Sequence, residues 1–267
     1  MIEQIDEWRK KYADWQQSGA GAGRDLGDDY PFVENTRAPF LPARRALPML
    51  NLALISSAGG YVDGTEQFDV NASGGDTSFR EIPIEVRGED ILFSARGYDP
   101  KFVQQDINAQ VPIARLLEFA ENGVIGQLNP VWWSFGGFIP DAERLVDKLL
   151  PSLIDRVKRY EAQAALLIPA SRLCHQSIAL VARGLEQAGI PTIMLAVETD
   201  VIEKVRPPRA GFYNGEFGSV AGRPLWPEHQ RRVLDEALRW LEPIDQPTIR
   251  KLGVELESKI EKDRGEK

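Results

Sequence analysis

The clearest pattern of hydrophobic and polar positions lies in the last third of the chain. An unbroken apolar run, Ala164–Ile168, precedes a helical stretch over residues 175–188 that ends at Gly189, and a second apolar run covers residues 192–197. Two buried strands joined by such a helix form a βαβ unit, whose strands are parallel. We therefore predict an α/β fold with a mainly parallel sheet and helices on both faces, in a Rossmann-like three-layer arrangement. Residues 169–174 are predicted to form a loop.

The rest of the chain predicts further elements. Apolar side chains recur at helical spacing near the amino terminus and predict an amphipathic helix; they are Ile2, Ile5, Trp8, Tyr12 and Trp15. Short apolar runs predict strands over residues 50–55, 82–86 and 91–94. Helices are predicted over residues 112–121, 141–160 with a kink or break at Pro151, and 227–242. Residues 59–80 are predicted to form a long polar loop, and residues 132–137 an aromatic, glycine-rich loop.

The chain shows no internal repeat and no obvious linker, so one α/β domain over residues 1–267 is expected. Within it, residues 1–47 are predicted to form a helix and an irregular arm, residues 48–242 the core, and residues 243–267 a charged helical tail. A length of 267 residues suffices for a sizeable core without a metal or disulfide.

Charge and cysteine content narrow the function. The net charge of −8 argues against nucleic acid and anionic membrane as partners. The first residues lack the basic start and apolar segment of a signal peptide, so a cytoplasmic protein is expected. With one cysteine and two histidines, no cysteine-based zinc cluster or histidine-rich metal site is expected, and no bound cofactor is predicted.

The first candidate for chemistry is Cys174 with its neighbour His175. Parallel sheets place ligands at the carboxyl ends of their strands. A cysteine at the start of the following helix has free N–H groups nearby, which stabilise a thiolate. His175 is a candidate base. The alternative is that Cys174 is a small buried apolar residue.

Three polar segments are weaker candidates. Arg80 is a candidate clamp for a carboxylate, with Asp76 and Ser78 beside it, although a turn with local hydrogen bonds explains the same residues. Asp106 and Asn108 precede a helix, where such residues commonly act as caps. The third segment, which contains Ser134, lines an apolar pocket or belongs to the core.

Several of these blocks resemble one protein family in the same order along the chain. They are Gly75-Asp76-Thr77-Ser78-Phe79-Arg80-Glu81-Ile82-Pro83, Asp106-Ile107-Asn108, Ser134-Phe135-Gly136-Gly137-Phe138-Ile139-Pro140 and Pro169-Ala170-Ser171-Arg172-Leu173-Cys174-His175-Gln176-Ser177. The sequence resembles the selenoprotein B subunits of glycine, sarcosine and betaine reductases and of D-proline reductase. The likeness covers roughly residues 48–242 and is nearest to the D-proline reductase-like branch.

The resemblance implies reductive cleavage of a C–N bond in a small amino-acid-like substrate. It also implies a dithiol protein as electron donor and a second subunit that activates the amine. In the family's motif a selenocysteine stands three residues before the cysteine, and here that position holds Ser171. Because a serine hydroxyl is not redox-active, Ser171 and Cys174 cannot form an internal redox couple.

We therefore predict an oxidoreductase of this family with Cys174 as nucleophile and an external dithiol as reductant. Ser171 or His175 is expected to assist proton transfer, while Asp76, Ser78, Arg80, Asp106, Asn108 and Ser134 are predicted to contact substrate. One alternative is a non-redox thiol enzyme, such as a lyase, transferase or racemase. Another is a non-catalytic binding or partner subunit. A homo-oligomer fits each of these hypotheses.

Overall fold

A computed structural model describes residues 1–18, 26, 29–242 and 244–254. Its main feature is an eight-stranded sheet with the order β10-β9-β8-β7-β1-β6-β3, in which β5 also pairs with β1. The strands of this sheet are β1 (Asn51–Ser56), β3 (Phe79–Pro83), β5 (Gln127–Leu128), β6 (Val131–Phe135), β7 (Ala164–Ile168), β8 (Thr192–Ala196), β9 (Arg209–Phe212) and β10 (Thr248–Lys251). A separate antiparallel pair joins β2 (Gly60–Val62) to β4 (Ile91–Phe93).

The strand order creates a switch point in the sheet. All pairings are parallel except that of β3 with β6, which makes β3 an antiparallel edge. From β1 the next long parallel strand, β6, lies on one side, whereas β7 and its successors lie on the other. In sheets of this kind ligands bind where the order reverses, beyond the carboxyl ends of the strands. Here that point lies between β1 and β7.

Helices cover both faces of the sheet, so both are buried. Successive side chains of a strand point to opposite sides and therefore enter two different clusters. Within β1, Ala53 and Ile55 belong to one apolar cluster, and Leu52 and Leu54 belong to the other. Four helices cover the first face: α1 (Ile5–Gln17), α5 (Leu150–Arg159), α6 (Arg172–Gln187) and α7 (Thr199–Val205). Two cover the second: α3 (Ile113–Glu121) and α8 (Pro227–Leu238). The predicted three-layer α/β fold is confirmed.

Several predicted elements are confirmed and others are wrong. The βαβ unit is present, since β7 and β8 pair in parallel on either side of α6 in the chain. The predicted loop over residues 132–137 is wrong, because the apolar side chains of β6 fill the core in spite of the two glycines that follow. The predicted loop over residues 169–174 ends earlier than expected, because Ser171 caps α6 and the helix begins at Arg172.

The helical segment before β7 is continuous through Pro151. It comprises α4 (Ala142–Arg144), a wider π turn at Leu145–Leu149, and α5, which has Pro151 in its first turn. Proline cannot donate the regular helical hydrogen bond and its ring crowds the preceding turn. The helix does not end at Pro151, and this wider turn is what the structure has next to the predicted kink or break.

The prediction of a helical carboxyl-terminal tail is wrong at residues 248–251. The predicted charged helical tail contains β10, which pairs in parallel with β9, so residues 248–251 extend the sheet. Residue 243 and residues 255–267 of the tail lie outside the described residues. A short helix, α2 (Lys101–Gln105), and the elements α7 and β9 were not predicted. Within the described ranges no helix is long and apolar enough to cross a membrane.

Candidate functional site

The switch point brings together the segments that follow three strands. Ser57 follows β1, Gly137 follows β6 and Ala170 follows β7. The Ala170 N–H donates to Ser57 Oγ at 3.2 Å, and the Gly137 N–H donates to the Ser57 carbonyl at 3.0 Å. Ser57 therefore joins the three segments at the carboxyl ends of their strands, where the strand order predicts a ligand site.

Cys174 lies in the first turn of α6, beside this junction. Ser171 is the N-cap of the helix, and its Oγ accepts a hydrogen bond from the Cys174 N–H at 3.3 Å. The thiol is thus near the positive end of the helix dipole. In this conformation, however, Cys174 is 1% exposed and its thiol donates to the Ser57 carbonyl at 3.6 Å.

Gly137 is packed so closely against this pair that a larger residue does not fit. A Cβ atom at Gly137 would lie 2.3 Å from Ser57 Cβ and 2.9 Å from Cys174 Sγ. We expect Gly137→Ala to lower the free energy of unfolding by about 1–3 kcal/mol through overpacking, as measured by urea denaturation. Gly136→Ala is the control, because its Cβ would meet Phe68 at an ordinary 3.6 Å. Equal effects of the two substitutions would contradict this account.

His175 is fully buried, and main-chain groups occupy both ring nitrogens. The Val197 N–H donates to Nε2 at 3.0 Å, so Nδ1 carries the proton and donates to the Ser171 carbonyl at 2.7 Å. The ring connects the start of α6 with the end of β8. This geometry provides no proton path from His175 to Cys174, so the base role predicted for His175 would require the ring to give up one of these bonds.

Burial lowers the pKa of His175 from 6.5 to about 4, against the opposing effects of the Ser171 hydrogen bond and the Asp200 charge. Between these two values the unfolded chain binds more protons than the folded chain. The free energy of unfolding should therefore fall by about 3 kcal/mol from this group as the pH drops from 6.5 to 4. Urea denaturation across this range should show a weaker pH dependence in His175→Gln. An unchanged pH dependence in that variant would contradict the assignment.

A narrow cleft opens beside Ser57 and Gly137. Its free space is about 20 Å³, which is room for about one water molecule. Tyr98 lines it and donates from its hydroxyl to the Ala58 carbonyl at 2.7 Å. Burial, and then the proximity of Cys174, raise the pKa of Tyr98. Arg96 also lines the cleft, with its guanidinium carbon 4.2 Å from the centre of the Phe138 ring.

Asp76, Ser78 and Arg80 form one connected group, of which only Asp76 lines the cleft. Asp76 accepts hydrogen bonds from the Ser78 N–H and hydroxyl and from the Asp69 N–H. These bonds hold the Asp76 pKa low despite its partial burial. Arg80 donates to Ser78 Oγ at 3.0 Å and stacks over the Phe68 ring. In this structure the group stabilises its own loop, and its predicted substrate contacts stay a prediction.

Asp106 and Asn108 form hydrogen bonds with neighbouring helices and loops. Asp106 accepts from Asn108 N–H and, through its other oxygen, from the Leu225 N–H and the Gln230 amide. Asn108 Oδ1 accepts from the Ala114 N–H at 2.9 Å at the start of α3. These bonds match the capping alternative, and neither residue lines the cleft.

Ser134 lies within β6 and is fully buried. Its hydroxyl has no hydrogen-bond partner among the described residues, and it does not line the cleft. Sequence reasoning did not single out Ser57, Arg96 or Tyr98. Ser57 was within reach, because it comes directly after a predicted strand. Arg96 and Tyr98 carried no signal, because their segment follows β4, a strand outside the main sheet.

The fold and the site define a doubly wound α/β protein with a single thiol at a helix amino terminus beside the switch point. Comparison with known proteins identifies the family. The chain is 32% identical over 211 residues to the D-proline reductase subunit gamma of Acetoanaerobium sticklandii, covering 79% of this chain and 86% of that relative. The chain therefore belongs to the family of this D-proline reductase subunit and of the glycine and sarcosine reductase component B subunits.

Two further relatives are more distant. The chain is 25% identical over 182 residues to the glycine reductase complex component B subunit gamma of Symbiobacterium thermophilum. It is also 25% identical over 181 residues to the sarcosine reductase complex component B subunit beta of Peptoclostridium acidaminophilum. The matches cover 64% and 65% of this chain but only 40% of each relative. No family model matches the sequence, and no solved structure matches it.

Proposed function

We propose that this chain is an oxidoreductase that cleaves a C–N bond reductively in a small amino-acid-like substrate, with Cys174 as the nucleophile. One observation carries the proposal: the only thiol of the chain lies in the first turn of α6 at the switch point of the sheet, beside a cleft. The names of the relatives support the reaction type, since they are subunits of D-proline, glycine and sarcosine reductases.

The proposed reaction has three steps. First, the Cys174 thiolate attacks the carbon that bears the nitrogen; a C–S bond forms, the C–N bond breaks, and the nitrogen leaves with a proton. Second, one thiol of an external dithiol attacks Cys174 Sγ, and the C–S bond breaks as the carbon takes a proton. The second thiol of the reductant then resolves the mixed disulfide. The substrate gains two electrons and the dithiol loses two.

The identity of residue 171 determines whether the reductant can lie within the chain. Ser171 stands where the family's motif has selenocysteine, and in this structure its hydroxyl caps α6. A serine hydroxyl cannot form a disulfide with Cys174, so Ser171 cannot supply the two electrons that the reduction needs. The proposed reductant is therefore an external dithiol or dithiol protein, and a second subunit is the proposed partner for activation of the amine.

The experiment is an anaerobic turnover assay with D-proline, sarcosine and glycine, using the chain alone and any complex that co-purifies with it. The proposal predicts cleaved product only when a dithiol is present, with one disulfide formed per product. Product without a dithiol would instead indicate a non-redox thiol enzyme. No product from either preparation would contradict an enzymatic role.

One observation favours a second candidate, a non-catalytic binding or partner subunit. Cys174 is buried and its thiol is bonded to the Ser57 carbonyl, as expected of an inert cysteine. The rate of alkylation as a function of pH separates the candidates, because Cys174 is the only thiol. A reactive thiolate with an apparent pKa well below about 8.5 supports the enzyme. Slow labelling at every pH supports the binding subunit.

A further inference from the structure

Arg96 is a cation in the cleft whose charge no carboxylate neutralises directly. It forms no ion pair within the described part of the chain, and its guanidinium donates one hydrogen bond, to the Val70 carbonyl. Its planar group lies over the Phe138 ring. Burial lowers the pKa of Arg96, and the charge of Asp69 raises it. A partly buried guanidinium with unused donors is suited to binding an anion.

Neither acidic side chain of the cleft, Asp69 or Asp76, forms an ion pair with Arg96. Asp76 already accepts three hydrogen bonds from Asp69 and Ser78. Asp69 accepts from the Asn71 N–H and is exposed at the mouth of the cleft. Arg96 thus keeps the donors that a bound carboxylate would occupy, and Asp69 is suited to a positively charged amine.

Arg96 belongs to a segment whose next two residues pack beside the start of α6, where the thiol lies. The Phe138 ring beneath its guanidinium follows Gly137, which packs against Cys174. Gly97, which follows Arg96 in the chain, has a φ of +77°, and a Cβ atom at Gly97 would lie 3.2 Å from Ser171 Oγ. Gly97 therefore packs against the N-cap of α6, and Tyr98 packs against the apolar group that contains Cys174.

A wider space leads into the cleft. A more open cavity of about 470 Å³ shares Phe68, Asp69, Val70 and Ser94 with the cleft as lining residues. The outer cavity has room for most of a small molecule, and its carboxylate would reach Arg96 by displacing water from the narrow part.

We propose that Arg96, rather than Arg80, binds the carboxylate of the substrate and thereby directs the neighbouring carbon toward Cys174. This inference rests on the proposed function and names the residue that selects the substrate class, a small carboxylate with an amine on the adjacent carbon. Arg80 is less suitable, because its guanidinium lies over Phe68 and is bonded to Ser78 and Phe79.

The test compares two alkylating reagents that differ in charge. Iodoacetate has a carboxylate, iodoacetamide has none, and Cys174 is the only thiol that can react. We expect the ratio of the iodoacetate rate to the iodoacetamide rate to fall about tenfold or more in Arg96→Met, since one charge-assisted contact is lost. Arg96→Lys should give an intermediate ratio, because the charge remains but the planar fork is lost.

Two further arginine variants make the comparison specific. Arg87→Met is the control, because Arg87 is exposed and paired with Glu89 and Asp90. Arg80→Met tests the residue predicted from the sequence. A ratio that falls in Arg80→Met but not in Arg96→Met would overturn the assignment, as would equal ratios in Arg96→Met and wild type.

A second measurement applies if neither reagent reaches the thiol. Acetate should then raise the midpoint of thermal unfolding of the wild type more than that of Arg96→Met. An equal effect of acetate on both proteins would overturn the proposal. Both measurements are independent of turnover, so an active enzyme without Arg96-dependent selectivity would refute this inference and leave the proposed function standing.

Discussion

Replacing Glu186 with Gln is expected to lower the free energy of unfolding by about 3–5 kcal/mol. Glu186 near the end of α6 forms an ion pair with Arg209 at the start of β9, and both side chains are completely buried. Its carboxylate also accepts hydrogen bonds from the Thr192 and Leu41 N–H groups. Removing the negative charge leaves a buried guanidinium without its counter-ion, which is the costly event.

The same pair connects three distant parts of the chain. Arg209 donates to the Leu41 carbonyl at 2.6 Å and lies 4.2 Å from the centre of the Phe40 ring. The amino-terminal arm is thereby fixed to α6 and β9. Burial raises the pKa of Glu186, and the adjacent Arg209 charge opposes this rise.

Urea denaturation at pH 7 measures the effect. The control is Asp155→Asn, which breaks an exposed pair with Arg159 and should change the free energy by less than about 1 kcal/mol. The double variant Glu186→Met with Arg209→Met should be more stable than either single variant, because neither charge remains buried alone. A cost for Glu186→Gln as small as that for Asp155→Asn would show that the buried pair is unimportant.

The fold was predictable where short-range patterns decide the structure. The βαβ unit from β7 to β8 has long apolar runs and a helix that ends at Gly189, so its elements are recognisable alone. In contrast, β9 contains Arg209 and Gly211 and looks unlike a buried strand. Arg209 can be buried there because it is paired with Glu186, which lies 23 residues earlier in the chain. Propensity within a local window carries no information about such a partner.

The position of β3 shows the same limit. The prediction placed a strand over residues 82–86, whereas the structure has it over Phe79–Pro83. Its register is set by antiparallel pairing with β6, from Phe79 opposite Phe135 to Pro83 opposite Val131. Because β6 itself was predicted to be a loop, the partner that determines the register was missing.

The candidate site was predictable in its centre but not at its walls. Cys174 was singled out because the carboxyl end of a parallel strand and the start of a helix are both visible in the sequence. The cleft wall comes from Arg96 and Tyr98, which follow a strand of the small separate sheet. The contact of His175 with Val197 depends on how β8 lies beside α6, so its ring orientation was also beyond the sequence.

Replacing Cys174 with Ala is expected to reduce dithiol-dependent turnover by about a thousandfold or more, because no other residue supplies the nucleophile. The fold should persist, since the apolar cluster of Cys174 is small, with Ala58 and Ala170 as its other buried members, and the thiol makes one weak hydrogen bond, to the Ser57 carbonyl. Cys174→Ser should be equally inactive despite its similar size, because a serine hydroxyl is a weak nucleophile without a base. Turnover and urea denaturation of both variants check this, and substantial turnover in either would remove the thiol mechanism.

Ser171→Cys tests the other half of the same argument. The introduced thiol would stand at the helix cap, one turn before Cys174, in the Cys-X-X-Cys spacing of dithiol redox proteins. Loss of the serine cap should cost about 1 kcal/mol of stability. In return, the pre-reduced variant should form about one product per chain without added dithiol, because the new thiol attacks Cys174 Sγ, releases the product and leaves a disulfide. The pre-reduced wild type should form none under the same conditions. If both release product equally, the electrons do not come from a second thiol, and Ser171 does not mark the lost half of a redox couple.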